Sequence, residues 1–353
     1  MQLGITKSVT LSDGKTIEIE TGKLAKQADG SVVVKVGDTM LLAAVVADRS
    51  AAEDVDFMPL MVDYKENFSA TGSIPGGFLR REARPSDHEV LICRLVDRAL
   101  RPLFPDDFHA SCVVTLRLLS SDGNTMPDAL ACLAASAAIM VSDIPFLAAV
   151  AEVRVAKING EYVVNPTNED MANADMEMMI AGTAKDIIMV EGEMQEVSEA
   201  EMLKAIQVGH EEIKKLCAVQ EELATAMNRV PREYNHEKKD EDLKKRIYDF
   251  AFDKCKAIAA KGLANKAERS ELFGKVKEDF LATMSEAEIA ENKFLISQYF
   301  KAAQKAGVRE TMLTGRIRLD GRKMDQIRPI WSEVDYLPKT HGSAVFTRGE
   351  TQS

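Results

Sequence analysis

The chain has 353 residues, a formal charge of −11, a sequence pI near 5.2 and 46% hydrophobic residues. That length suits two or three domains with real cores, and an acidic whole argues against a general DNA or membrane binder while leaving room for RNA held in a local basic channel. Five cysteines without a C-x-x-C pair indicate neither a disulfide framework nor a zinc site, and a start without signal-peptide regions, in a chain with no apolar run of about eighteen residues, makes the cytoplasm the expected compartment.

Up to about Tyr64 the chain reads as strands. Residues 15–20 alternate, while 31–36 and 40–46 are β-branched and apolar around a turn at Gly37-Asp38. Residues 56–64 predict another strand, with Pro59 marking an edge or a bulge. Then comes the stretch from Gly72 to Pro105, GSIPGGFLRREARPSDHEVLICRLVDRALRPLFP. Its first part is a loop, because Pro75, Gly76, Gly77 and Pro85 exclude a regular helix or a central strand. On that loop Phe78 and Leu79 stand beside Arg80 and Arg81. An aromatic face for a base and guanidinium groups for phosphates suit a single-stranded nucleic acid. The competing reading tucks Phe78 into the core and leaves the arginines in water.

Ser86 and Glu89 have the spacing of a capping box, so a helix starts after Pro85 and ends at Pro102. Ile92, Leu95, Val96, Ala99 and Leu103 share one face, and Arg94, Arg98 and Arg101 share another. Three like charges in one stripe repel weakly, Asp97 offsets part of this, and a solvated face is the plain reading. Behind an arginine-bearing loop, the stripe extends one basic surface of Arg80, Arg81, Arg84, Arg94, Arg98 and Arg101.

Residues 112–119 predict a strand, and 128–140, rich in alanine and nearly free of charge, a helix buried on most sides. Between them, Ser120-Ser121-Asp122-Gly123-Asn124 reads either as an ordinary turn or as an anion nest of backbone N–H groups. Residues 151–155 and 161–164 form a hairpin around Asn159-Gly160, and 175–183 and 186–191 another pair. Methionines 176, 178, 179 and 189 read as core filler. A second capping box, Ser198 with Glu201, opens a long helix that ends before Pro231. Strands followed by helices make this part α+β. From Glu237 a charge run leads into a small all-α region, with helices near 239–260, 266–281 and 286–305 and nothing that looks catalytic.

From Gly315 strand character returns, and a repeat appears. Gly30 to Thr39 (GSVVVKVGDT) aligns with Gly342 to Thr351 (GSAVFTRGET) at a constant offset of 312 residues, as if a second copy of the first domain were beginning. Just before it lies RLDGRKMDQIR. Asp320 and Asp325 there are expected to pair with neighbouring arginines rather than hold a metal, and no Asp, Glu or His cluster in the chain has trustworthy ligand spacing.

The loop pattern IPG-x-F-[FL]-RRE-x-RPS-[DE] closely resembles the first core of the polynucleotide phosphorylase family, with Leu79 where members usually carry a second phenylalanine. RLDGRKMDQIR resembles the R-x-D-G-R-x-x-D-x-x-R opening of ribonuclease PH domains. The resemblance covers the whole chain. It implies an α+β, RNase PH-like (ribosomal protein S5 domain 2-like) core over 1–235, an all-α linker domain over 236–312, and the incomplete start of a second RNase PH-like core over 313–353. It further implies a phosphate-dependent 3′→5′ exoribonuclease of RNA turnover that releases nucleoside diphosphates and works as a homotrimeric ring on single-stranded RNA. Magnesium or manganese and inorganic phosphate would serve it, and ribonuclease E or a helicase could be partners in an RNA-degradation complex. Neither a membrane nor specific DNA is implied. Phe78, Leu79, Arg80, Arg81, Arg84, Arg94, Arg98 and Arg101 become the expected RNA contacts, with Arg318 or Arg322 lining the path. The resemblance places the phosphate loop and metal cluster after Ser353, so no catalytic or metal residue is expected within 1–353. The alternative is a non-catalytic, ring-forming RNA-binding module.

Overall fold

The computed structural model describes residues 4–52, 55–76, 82, 84–234 and 239–353. The chain divides into two units, Met1–Glu237 and Lys238–Ser353.

The first unit begins with strands β1 (Ile5–Thr10), β2 (Thr16–Thr21), β3 (Gly30–Val36), β4 (Thr39–Ala47) and β5 (Leu60–Glu66), followed by helix α1 (Asp87–Leu100), strand β6 (Cys112–Ser120) and helix α2 (Asp128–Met140). Strands β7 (Ala151–Ile158) and β8 (Glu161–Val164), the one-turn α3 (Asn168–Met171), strands β9 (Ala174–Gly182) and β10 (Ile187–Met194) and the long α4 (Glu199–Ala226) complete it. One sheet runs β1-β2-β3-β4-β6-β5 and the other β10-β9-β7-β8. Every neighbouring pair is antiparallel except β5 and β6.

Helix α2 is the keystone. All thirteen of its residues are buried, and it packs on β3 and β4 of the first sheet and on β7 of the second. Seven of its side chains are alanine or serine, small enough for a helix to lie between two sheets at interior packing density. Helix α4 covers the second sheet from its other side, against β7 and β9, and reaches β1.

Strand β5 starts four residues later than its apolar pattern begins. Pro59 lacks an N–H and stays outside the ladder, its carbonyl accepting the Cys112 N–H at 2.9 Å. The strand does lie at a sheet edge. Helix α3 was not legible as a separate element. Thr167 and Asp170 form its capping box.

The second unit holds α5 (Glu241–Ala260), α6 (Lys266–Leu281) and α7 (Glu286–Gly315), then β11 (Ile330–Val334), β12 (Ala344–Arg348) and β13 (Thr351–Gln352). Asp240, Asn265 and Ser285 cap the three helices. Ile247, Cys255, Phe273, Phe280, Ile296 and Phe300 form the centre of their core. Helix α7 runs ten residues beyond the expected 305, straight through Gly307. It crosses α5 so closely there that a Cβ at Gly307 would sit 2.9 Å from the Phe252 carbonyl oxygen.

The repeat is real in three dimensions. β11-β12-β13 is an antiparallel meander like β2-β3-β4. The turn after each middle strand uses a left-handed glycine, Gly37 at φ 57° and Gly349 at φ 64°. The connection before the middle strand spans 22–29 in the first copy and 335–343 in the second, one residue longer.

Candidate nucleic-acid interface

Helix α1 is fixed at its start by the expected capping box. The Glu89 N–H donates to Ser86 Oγ at 3.2 Å and the Ser86 N–H to Glu89 Oε2 at 2.6 Å. Glu89 is buried and also accepts the Glu66 N–H at 2.9 Å through its other oxygen. Burial pushes its carboxyl up, but these hydrogen bonds and Lys65 outweigh burial and leave it below the usual carboxylate range. Ile92, Val96, Ala99 and Leu100 face inward, which turns the arginine side of the helix toward solvent.

The arginines are not equivalent. Arg98 is ion-paired with Glu191 of β10 and also reaches Met189 Sδ. Arg101 is held by Asp97, its Nε donating at 2.9 Å, and its Nη1 donates to the Met58 carbonyl at 2.9 Å. The sequence signalled the Asp97 contact, because Asp97 and Arg101 are one helical turn apart. It gave no signal for Glu191, which arrives from a strand in the other sheet. Arg84 and Arg94 are exposed, and among the described residues neither has a carboxylate within ion-pair distance. A groove of about 550 Å³ between β5 and α1 is lined by Arg94 and Arg98 together with Asp63 and Asp97, so its charge is mixed. Phe78, Leu79, Arg80 and Arg81 lie outside the described residues.

The arginines of the RLDGR turn are committed locally. Arg318 Nη2 donates to the Met324 carbonyl at 2.9 Å. Arg322 donates from Nε to Asp320 at 2.9 Å and from Nη1 to the Gln326 carbonyl at 2.7 Å. Asp320 therefore pairs as expected. Asp325 has no ion-pair partner among the described residues.

The N–H groups of Ser121 to Asn124 are all occupied, that of Ser121 by the Ala70 carbonyl at 2.9 Å and that of Asp122 by Thr39 Oγ1 at 3.2 Å. Asp122 Oδ1 accepts from the Asn124 and Thr125 N–H groups at 2.9 and 2.7 Å, and Oδ2 from the Thr125 hydroxyl at 2.8 Å. The Gly123 N–H goes to Ser121 Oγ at 3.1 Å. The carboxylate of Asp122 thus stands where a bound anion would. Burial pushes that carboxyl up, and these donors more than offset it, holding it below its ordinary range. Among the described residues no three His, Cys, Asp or Glu side chains are grouped to hold a metal, and no helix is long and apolar enough to cross a membrane.

Three family models match the chain in succession. Domain 1 of the 3′ exoribonuclease family matches residues 13–145 and domain 2 of that family residues 148–212. A model described as the RNA binding domain of polyribonucleotide nucleotidyltransferase matches residues 242–323. The chain is 56% identical to the polyribonucleotide nucleotidyltransferase of Bacteroides fragilis, over 99% of this chain and 49% of that protein. The proteins of the same name from Phocaeicola vulgatus and Porphyromonas gingivalis are 55% and 53% identical, over 99% of this chain and 49% and 47% of theirs. The chain thus spans about half the length of the curated relatives it matches. A solved structure described as an Archaeoglobus fulgidus exosome with RNA bound to the active site has a TM-score of 0.47 and 19% identity, over 59% of this chain and 91% of that one.

Proposed function

The chain belongs to the polyribonucleotide nucleotidyltransferase family, and from that premise we propose that it is the RNA-contacting and assembly part of a phosphate-dependent 3′→5′ exoribonuclease. In that reaction an oxygen of inorganic phosphate attacks the phosphorus of the 3′-terminal phosphodiester. The bond to the 3′ oxygen of the preceding nucleotide breaks, that oxygen takes up a proton, and a nucleoside diphosphate leaves. Residues 1–235 would act as the first RNase PH-like core, 236–312 as a helical linker domain and 313–353 as the opening of a second core. The active form would be a homotrimeric ring in the cytoplasm, open to partners from an RNA-degradation complex.

Magnesium or manganese would serve as cofactor and phosphate as co-substrate of the whole enzyme. The described residues do not fit the metal, since they present no cluster of ligands, and the anion nest is filled by Asp122.

The observation that carries the RNA reading is the pair Arg84 and Arg94, exposed and without a carboxylate partner among the described residues, on either side of a firmly capped helix start. Phosphate oxygens would satisfy them as carboxylates satisfy Arg98 and Arg101. With Arg80 and Arg81 they would form the phosphate contacts, and Phe78, aided by Leu79, would stack on a base. In the full-length enzyme, replacing Arg84 and Arg94 together by alanine is expected to weaken single-stranded RNA binding alike for all sequences. The log–log salt slope should flatten by about 0.7 per lost contact. Phe78→Ala should weaken binding by about 1–3 kcal/mol and leave that slope unchanged. Unchanged affinity and slope in the double arginine variant would overturn the placement. Lost melting temperature with intact affinity in Phe78→Ala would put that ring in the core instead.

A further inference from the structure

A cavity of about 380 Å³ lies in the first unit, where the end of β5, the start of α1 and the turn leading into α2 meet. Of the described arginines assigned to RNA, Arg84, Arg94, Arg98 and Arg101, none lines it. Its size falls within the usual range of small-molecule sites. Phe68, Leu118 and Met126 supply apolar wall, and Glu66 and His88 supply charge.

The carboxylate of Glu66 is positioned rather than free-swinging. The fully buried Tyr64 donates its hydroxyl to Glu66 Oε1 at 2.7 Å, and His88 Nε2 lies 3.6 Å from the same oxygen. Glu66 Oε2 accepts no hydrogen bond from any described residue. Each member of the pair favours the charged form of the other. Glu66 pushes the His88 imidazole up against the opposing effect of burial. His88, aided by the Tyr64 hydroxyl, holds the Glu66 carboxyl down, again against burial. The wall therefore presents a positioned carboxylate acceptor beside an imidazole that can donate, with an aromatic ring on the same wall.

Phosphate is a poor fit to this surface. The turn that could have cradled it is filled by Asp122. The second carboxylate on the wall, Asp128, is already ion-paired with Arg154. A flat, uncharged ring whose edge carries an N–H donor beside an acceptor meets the donor–acceptor pair and the phenyl face together. Nucleobases have that edge and that face.

We propose that this cavity binds a nucleoside, with its base against Phe68 and its polar edge on Glu66 and His88. Adenosine, guanosine, cytidine and uridine would each be titrated into the 353-residue chain by calorimetry, followed by the 5′-monophosphate of whichever binds. At least one nucleoside is expected to bind one-to-one with a Kd on the order of 0.1 mM, and its monophosphate at least about tenfold more weakly. Glu66→Gln keeps an acceptor for Tyr64 but loses the charge that meets the base, and should weaken nucleoside binding by about tenfold at an unchanged melting temperature. Phe68→Ala should weaken it similarly by removing the stacking face. The proposal is overturned if no nucleoside binds below roughly 10 mM, if the monophosphate binds as tightly as the nucleoside, or if folded Glu66→Gln binds like the parent. RNA binding through the arginines is measured separately, so failure of either reading leaves the other standing.

Discussion

At the scale of single residues, the informative groups are charges whose partners come from far away in sequence. Arg154 is buried and ion-paired with both Asp128 and Glu177. Beside this network Glu152 is 1% exposed, and neither of its carboxylate oxygens has a hydrogen-bond partner among the described residues. Burial, then Asp128, pushes its pKa up to about 8, with Arg154 and Arg98 pulling the other way. Between the ordinary carboxylate range and about 8 the folded chain therefore keeps a proton on Glu152 that the unfolded chain has lost. In that window the folded state binds more protons, so the contribution of this group to stability falls as pH rises. Glu152→Gln is neutral throughout and of the same shape. It should melt like the parent near pH 5 and be more stable near pH 8, by up to a few kcal/mol. Urea denaturation at both pH values checks this, and parallel pH curves for parent and variant would show that Glu152 is ionised in the fold. None of it was visible in the sequence. There, Glu152 and Arg154 sit in an ordinary strand pattern, and only the second sheet closing over α2 makes them interior. Arg98 teaches the same lesson in reverse: its phase on the helix was legible, but the β10 carboxylate that neutralises it was not.

At the scale of elements, the features that depend on neighbours within a few residues were legible. The boxes at Ser86 and Ser198, the alanine-rich α2 and the start of each helix in the second unit followed from caps and periodicity. The end of α7 did not, because Gly307 reads as a weak helix position and its reason lies on another helix. That gives a prediction opposite in sign to propensity. Gly→Ala inside a helix should gain up to about 1 kcal/mol where space is open. At Gly274 in α6 nothing lies within 4 Å of a new Cβ, so Gly274→Ala should raise the melting temperature. At Gly307 the new Cβ would meet the Phe252 carbonyl oxygen at 2.9 Å and the Lys256 nitrogen at 3.2 Å, both backbone atoms. Gly307→Ala should therefore lower the melting temperature as α5 and α7 are forced apart. If both variants stabilise, the close α5–α7 crossing is wrong.

At the scale of the whole molecule, chemistry and binding are expected to separate. An acidic chain of charge −11 can bind RNA only where local geometry leaves cations uncompensated. Among the described residues Arg84 and Arg94 have no carboxylate partner, whereas Arg98 and Arg101 are ion-paired. Phosphorolysis asks for more: a place where phosphate is held as a nucleophile and a means of stabilising charge as the 3′ oxygen leaves. The turn best shaped to hold an anion is occupied by the chain's own Asp122. Several of the acidic groups are neutralised by arginine, as Asp128 and Glu177 are by Arg154, and Asp143 by Arg49 and Arg232. The 353-residue chain is therefore expected to bind single-stranded RNA with a clear salt dependence and yet to release no nucleoside diphosphate from poly(A) in the presence of phosphate and magnesium or manganese. Both readouts belong on one sample freed of host enzyme. RNA binding without product matches a chain that contributes contact and assembly to a larger enzyme. Phosphate-dependent release of diphosphates, lost again when Arg84 and Arg94 are replaced, would place a working phosphorolytic centre within these residues and refute that division of labour.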